Sequence, residues 1–487
     1  MPQPARTPTL LEQADAAWED GDREAARRLY TAALARDTSA SRAVFRLAQL
    51  APDATAALPL YRRYVSLQPR DPWGHMALGD ALGRLRRYGP ALDAYRHAAS
   101  LAPAERDVVV GRARWEERAD RPDVAMHDLE AWTSGHATDG EAWDLLGRAA
   151  LRAGRPRTAS DAFTRANAAG IAGAAARASH AAALATPAVE PIAGYQRDSD
   201  GNRSMRAGGI ADVMVTDGMR LGVSGAALSI GDGMISAKGA EGAVRLSARP
   251  TALVRVDLQG GALQLASLVP GGPAWRTPQA DVRLRVRAPL GGPSLDLRAQ
   301  RMALGAAPVL VEHHVVRTEA RATLEVPAGP VRVRTSGRAG QLHALGEAPN
   351  GRLGAEGAIV LPLGSAVQLS GQYRWLGYQR ASAAGYFAPR RAETAEGGLY
   401  VEHDGEGPVS VAADLGGGVQ RVARQGETPG GWTRSLRAWG YAGIALAPAR
   451  ALYAELEAYD APFAPNGAAT SGSWRFVSLS LGMRWGF

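Results

Sequence analysis

The sequence predicts two domains of unlike class: an all-α solenoid of about five helix pairs over residues 10–167, and an antiparallel up-and-down β-barrel of about 16 strands over residues 193–487. Three observations carry this. Residue types recur with a helical-repeat period in the first third, the hydrophobic period changes to two beyond it, and the last strand is amphipathic and ends on Phe487.

At 487 residues the chain has room for about two to four domains. Its 46% apolar and 21% charged residues supply real cores, which excludes wholesale disorder. The absence of cysteine excludes disulfides, thiolate metal sites and cysteine nucleophiles. No apolar run reaches the ~18 residues of a membrane helix, which excludes an α-helical membrane protein but leaves the β-barrel class open. The first 190 residues hold 25 basic and 24 acidic side chains of the 56 and 48 in the chain, so nearly all of the +8 charge lies beyond them. Almost every base is arginine, and Lys238 is the sole lysine. These arginines stand singly between apolar residues, not in runs, so nucleic acid is not an expected partner.

Residues 1–9 read as a flexible start; Met1-Pro-Gln-Pro-Ala-Arg6 has no apolar stretch and is not a signal peptide. Ala57, Ala91, Ala125 and Ala159 then recur every 34 residues, each followed four positions later by a large apolar residue, Tyr61, Tyr95, Leu129 or Phe163. On a helix these two positions share one face, where the small residue admits a neighbouring helix. An earlier unit holds Ala14, Gly21, Ala26, Tyr30 and Ala33. The last unit, Trp143-x-x-Leu146-Gly147 with Gly154, Ala159, Phe163 and Ala166, resembles the tetratricopeptide repeat. That resemblance implies a scaffold with a concave partner groove presenting Trp73, Asp80, Arg84, Arg114, Arg118, Asp144, Arg148 and Arg152.

Residues 168–192, Ala-rich and closed by Pro187 and Pro191, read as an extension of the last helix that becomes a linker. Alternation follows: Val282, Leu284 and Val286 with Arg283, Arg285 and Arg287, and Leu452, Ala454 and Leu456 with Tyr453, Glu455 and Glu457. Turn clusters such as Gly291-Gly-Pro, Pro327-Ala-Gly-Pro330 and Pro429-Gly-Gly separate the runs, with no helical pattern among them. Alternation of this kind fits a soluble sandwich or an outer-membrane barrel. Short apolar residues opposite many arginines favour the barrel. So does the final row Val477, Leu479, Leu481, Met483, Trp485 and Phe487.

A last strand closing on phenylalanine, with Trp485 before it, resembles the terminal signal read by the barrel-assembly machinery of bacterial outer membranes. Repeats followed by such a barrel resemble the outer-membrane exopolysaccharide exporters, among them the C-terminal region of cellulose synthase operon protein C. Tyr195-Gln-Arg-Asp-Ser-Asp-Gly201 and Gly385-Tyr-Phe-Ala-Pro389 add to that likeness. It implies a porin-like conduit for a polysaccharide, held in outer-membrane lipid. The repeats would lie in the periplasm and dock periplasmic or inner-membrane biosynthesis proteins. Those exporters carry more repeats and a secretory signal. The alternative is a non-transport adaptor or receptor anchored by a plugged or soluble β-domain.

The chain shows no His-Glu-x-x-His, Walker, Gly-x-Ser-x-Gly or dinucleotide motif, so no enzyme activity, cofactor or metal is expected. Asp198-Ser-Asp200-Gly-Asn202 spaces its oxygens like a calcium loop but lacks that loop's glycine and glutamate, and reads as a hairpin turn. Glu312-His313-His314 and Glu402-His403-Asp404 read as loop or rim residues. Glu455 and Glu457 read as balancing lumen arginines, not as a glycosidase pair. An arginine facing lipid near the midplane costs roughly 2–4 kcal/mol, so Arg245, Arg255, Arg283, Arg285, Arg287, Arg298, Arg321, Arg332, Arg334 and Arg374 are assigned to the lumen. Asp257, Asp281, Asp296, Glu319 and Glu325 oppose them there. The row Arg283, Arg285 and Arg287, next to Arg332 and Arg334 if the intervening strands allow, is the expected unpaired surface that guides a polar or anionic chain.

Overall fold

The ladder of small and large residues becomes helix packing. The computed structural model describes residues 8–268, 272, 274–404, 407–460 and 474–487. Its first helices pair in order: α1 (Leu10–Glu19) with α2 (Arg23–Arg36), α3 (Ser41–Gln49) with α4 (Ala54–Leu67), and α5 (Pro72–Arg84) with α6 (Tyr88–Leu101). Then come α7 (Arg106–Arg118) with α8 (Pro122–Gly135) and α9 (Gly140–Ala153) with α10 (Pro156–Ala168). These are the five expected pairs of the repeat solenoid.

The sequence supplies the starts and stops. At α1, Glu12 N–H donates to the Thr9 hydroxyl at 3.2 Å and Thr9 N–H donates to Glu12 at 2.6 Å, a reciprocal cap. Asp22 and Asp53 cap α2 and α4, accepting from Ala25 and Ala56 N–H at 2.9 and 2.8 Å. The small and large positions meet in the core: Ala91, Ala125, Ala159, Leu129 and Phe163 are all 0% exposed, and Tyr95 is 1%. Gly147 packs so tightly that a Cβ there would sit 2.6 Å from the Phe163 ring.

The chain divides into two compact units, Met1–Ala153 with Asp161–Ala178, and Gly154–Ser160 with Ser179–Phe487. The stretch 168–192 holds a helix of its own and the start of the first strand. Alanine, the strongest helix former, builds α11 (Ala174–Ala185) there, and the first strand begins at Ala188, ahead of the expected 193.

Sixteen strands close an antiparallel barrel, each beside its neighbour in sequence and the first against the last. They are β1 (Ala188–Asp198), β2 (Arg203–Thr216), β3 (Met219–Gly231), β4 (Ser236–Thr251), β5 (Val254–Leu265), β6 (Trp275–Arg287), β7 (Ser294–Ala303) and β8 (Val316–Ala328). The ring continues through β9 (Val331–His343), β10 (Asn350–Pro362), β11 (Val367–Tyr378), β12 (Arg391–Asp404), β13 (Val409–Ala423), β14 (Thr433–Ala447), β15 (Arg450–Asp460) and β16 (Arg475–Gly486). Closure pairs Tyr195 of β1 with Leu479 of β16.

The register keeps like faces together. Val256 lies opposite Leu284 while Asp257 lies opposite Arg283, so one side of the wall is apolar and the other charged. The apolar side is the exposed one: Val223 is 55% exposed, Leu353 and Ile359 56%, and Leu481 52%. That inverts a water-soluble core and leaves an outer surface suited to hydrocarbon. Connections alternate in length around the ring. Turns 217–218, 252–253, 329–330 and 448–449 join strands at one end, whereas 304–315, 344–349, 379–390 and 424–432 join them at the other. One long connection contains α12 (Pro308–Glu312), too short to leave a helical period in the sequence.

Candidate functional site

Alternation turns Arg245, Arg255, Arg283, Arg285 and Arg298 of β4–β7 inward. With Asp212 and Arg220 they line a cavity of about 520 Å³ in the barrel lumen, whose wall also includes Asp257. Most of these charges are cross-linked. Arg283 Nε donates to Asp296 at 2.9 Å, Arg298 Nε to Asp281 at 3.0 Å, and Arg255 Nε to Asp257 at 3.0 Å. Asp257 also accepts from Arg285 at 2.6 Å and from the Ser247 hydroxyl at 2.6 Å.

This corrects the expected unpaired row. Arg283 and Arg285 each hold an aspartate, and Arg287 also has a partner. Arg332 and Arg334 are not beside them either, since β7 and β8 lie between β6 and β9. Across-strand aspartates, which the one-strand pattern of the sequence does not pair, account for the difference. Among the described residues it is Arg245 that lines the cavity with no ion-pair partner. The paired arginines remain wet: the side chains of Arg283, Arg285 and Arg298 are 39%, 38% and 44% exposed.

Further around the ring exposure falls: Arg321, Arg332 and Arg334 are still half-exposed, whereas the side chains of Arg352 and Arg374 are 7% and 16% exposed. Arg332 and Arg334 share Glu325, at 3.3 and 2.9 Å, and Arg332 also donates to Gln368. Arg321 reaches Glu356 at 3.4 Å. Arg374 donates to both oxygens of Glu396, at 2.9 and 2.8 Å, and that carboxylate also accepts from Ser435 and Gln372 at 2.6 and 2.8 Å. Its side chain is 1% exposed. Arg352 and Glu319 pair at 2.6 Å, with side chains 7% and 6% exposed. Here arginine serves as wall structure: Arg374 of β11 ties to Glu396 of β12, and Arg352 of β10 to Glu319 of β8. Sequence reasoning missed Arg352, Glu356, Glu396 and Arg437. Their alternation with Leu353, Ala355 and Ala395 is the signal that marks them.

Glu455 and Glu457 do face the lumen, but among the described residues neither has an arginine ion-pair partner. Glu455 accepts from Trp439 Nε1 at 2.6 Å and Glu457 from the Tyr459 hydroxyl. Asp198 organises the β1–β2 turn, accepting from the N–H of Asp200 and of Asn202, both at 3.0 Å. His313 and His314 follow α12, with His314 stacked on Trp275 at 5.2 Å. Glu402 accepts from Tyr400 at 3.0 Å.

At the long-loop end, residues 304–315 leave the wall and enter the bore. Leu304, Leu310 and Val315 join one buried cluster with Leu342 of β9, Leu376 and Tyr378 of β11, Ala384 and Tyr386 of 379–390, and Trp474 and Phe476. Leu310, Val315 and Ala384 are 0% exposed. Because β16 lies far around the ring from β7, this cluster spans the lumen. Ala306 reaches Trp474, Phe476 and Gln196 on the far wall.

In the repeats, the expected groove residues divide. Trp73 is 42% exposed, and Arg84, Arg114, Arg118 and Arg148 are exposed, with Arg118 lying over the Trp115 ring at 5.0 Å. Asp80, in contrast, accepts from the Tyr95 hydroxyl at 2.5 Å and from Trp115 Nε1 at 2.7 Å, so it holds helices together. Asp144 pairs with Arg148 at 3.3 Å and with Arg177. Arg152 bridges Glu117 and Asp120 at 2.6 and 2.9 Å. At the chain's end Trp485 is 40% exposed on the outer face beneath Arg450, 4.0 Å from its ring, and Phe487 is 72% exposed.

No family model matches the sequence, and no curated protein does. Solved structures align with parts of it. MamA is 20% identical over 33% of this chain and 89% of its own, with a TM-score of 0.31. YrrB, a tetratricopeptide protein with an unusual peptide-binding site, is 17% identical over 36% of this chain and 90% of its own, with a TM-score of 0.32. A bacterial polysaccharide outer membrane secretin is 12% identical over 62% of this chain and 99% of its own, with a TM-score of 0.45.

Proposed function

We propose that this chain is an outer-membrane conduit for an exopolysaccharide, with its repeats on the periplasmic side as a scaffold for biosynthetic partners. The observation that carries the reading is the sorting of side chains: apolar residues outward, and a wet, arginine-rich lumen cavity inward. Guanidinium groups that already hold one carboxylate keep N–H donors free for sugar hydroxyls, and Arg245 adds an uncommitted cation. Such a surface binds polar chains through many weak contacts, which suits passage better than capture. The repeats present Trp73, Arg84, Arg114 and Arg148 to a partner, a chemistry for acidic peptide segments. Cellulose is one candidate polymer, and an anionic polysaccharide fits the lumen arginines equally well. No catalysis is assigned to the chain.

The cluster that spans the bore favours a second reading, a receptor whose barrel stays plugged. Planar-bilayer recordings with oligosaccharides in one chamber separate the two. A conduit gives current blockades whose frequency rises with oligosaccharide concentration. An inserted chain that passes no current and shows no blockades with 304–315 intact, and conducts once that segment is removed, is a plugged receptor.

A further inference from the structure

Cations also point outward, and on β1, β2, β4, β6 and β16 they gather at the long-loop end. On β1 and β2 the residues that share a face with Tyr195 and Met205, 38% and 59% exposed, include Arg197 and Arg203 at the long-loop end. The same outer face carries Lys238 on β4, Arg276 on β6 and Arg475 on β16 at that end, and all five are exposed. Further along the same faces, toward the short turns, the outer side chains are apolar, among them Val213, Val215, Leu221 and Val286.

Arg197 lies directly opposite Arg203 in the β1–β2 register. Like charges placed so repel one another, and an intervening anion turns that cost into attraction. Among the described residues neither has an ion-pair partner; Asp460 lies opposite Arg475 across β15–β16, and Asp200 sits in the turn between β1 and β2. The patch faces away from the lumen and directly borders the apolar belt, so a polymer in transit does not meet it. A headgroup whose acyl chains cover Tyr195 and Met205 does.

We propose that this rim is a docking surface for phosphate-bearing anionic lipid, held by Arg197, Arg203 and Arg475 with Lys238 and Arg276 flanking. The proposal rests on the reading of the barrel as membrane-spanning. Charge complementarity names the occupant: paired guanidinium groups bind phosphate bidentately, and a surface basic cluster beside a bilayer draws anionic headgroups.

The test is native mass spectrometry of the full chain in neutral detergent. Its probes are diphosphoryl lipid A, the same glycolipid stripped of phosphate, and phosphatidylcholine. The diphosphoryl form should be retained at least about tenfold more than the stripped form. The triple variant R197S/R203S/R475S should lose that preference while keeping its phosphatidylcholine binding and its lumen conductance. R197K/R203K/R475K should keep most of it. Equal retention of both glycolipids by the wild type, or an unchanged preference in the serine variant, overturns the proposal. So does displacement of the lipid by inorganic phosphate at equal concentration, which makes the site one for a free ion. If the serine variant does not insert, the wild-type comparison and the lysine variant decide. A wild-type chain that inserts into no bilayer instead defeats the membrane reading itself.

Discussion

Glu116 carries a pH dependence that can be worked out by sign. It is 7% exposed on α7, with Arg112 at 3.6 Å and Asp128 nearby, and burial together with the Asp128 charge pushes its carboxyl up to about 7. Below an unfolded carboxyl's pKa of ~4.3 both states hold the proton. Between there and about 7 only the folded state keeps it, so stability falls as pH rises through that window and levels off above. Thermal unfolding followed by the helical dichroism signal should show this slope, and Glu116→Gln should flatten it; an unchanged slope places the titration elsewhere. In the lumen, replacing Arg283, Arg285 and Arg287 together with Ser leaves Asp257 and Asp296 without those partners. The barrel should stay folded, and reversal potentials should shift toward cation preference. Unchanged selectivity makes the row wall structure only. At this scale the sequence was legible in direction and not in partnership. Alternation told which way Arg283 points, but the aspartate it holds belongs to β7, and Asp80 looks like a groove residue until Tyr95 and Trp115 are seen to donate to it.

Among elements, the repeat helices and the strands declare themselves because their patterns persist over many turns or pleats. The Ala-rich stretch misleads for a compositional reason: it lacks the repeat's large residues yet has the highest helix propensity, so α11 forms without a ladder to announce it. The segment 304–315 misleads differently. Its helix is only five residues long, and only the closed ring shows that Val309 and Leu310 fill the bore. Replacing 304–315 with a short glycine-containing turn should therefore raise single-channel conductance severalfold, while the barrel keeps its resistance to unfolding in cold detergent gels. Conductance equal to the wild type would mean that current takes a path past the cluster and that the segment is no plug.

For the whole molecule, the fold follows from one rule applied to every strand: period two sets the faces, closure removes the edges, and the solvent on each side selects which face is apolar. The central claim is that water lies inside this barrel and hydrocarbon outside. The chain contains no cysteine, so single cysteines can be placed along β6 at Val282, Arg283, Leu284, Arg285 and Val286 without background. After reconstitution, each is offered a water-soluble maleimide, then read as a fluorophore against a quencher attached to lipid chains. The account predicts strict alternation. Positions 283 and 285 react readily with the aqueous reagent and resist quenching, whereas 282, 284 and 286 react slowly and are quenched by lipid. Uniform aqueous labelling along β6, or quenching at 283 and 285, would contradict it.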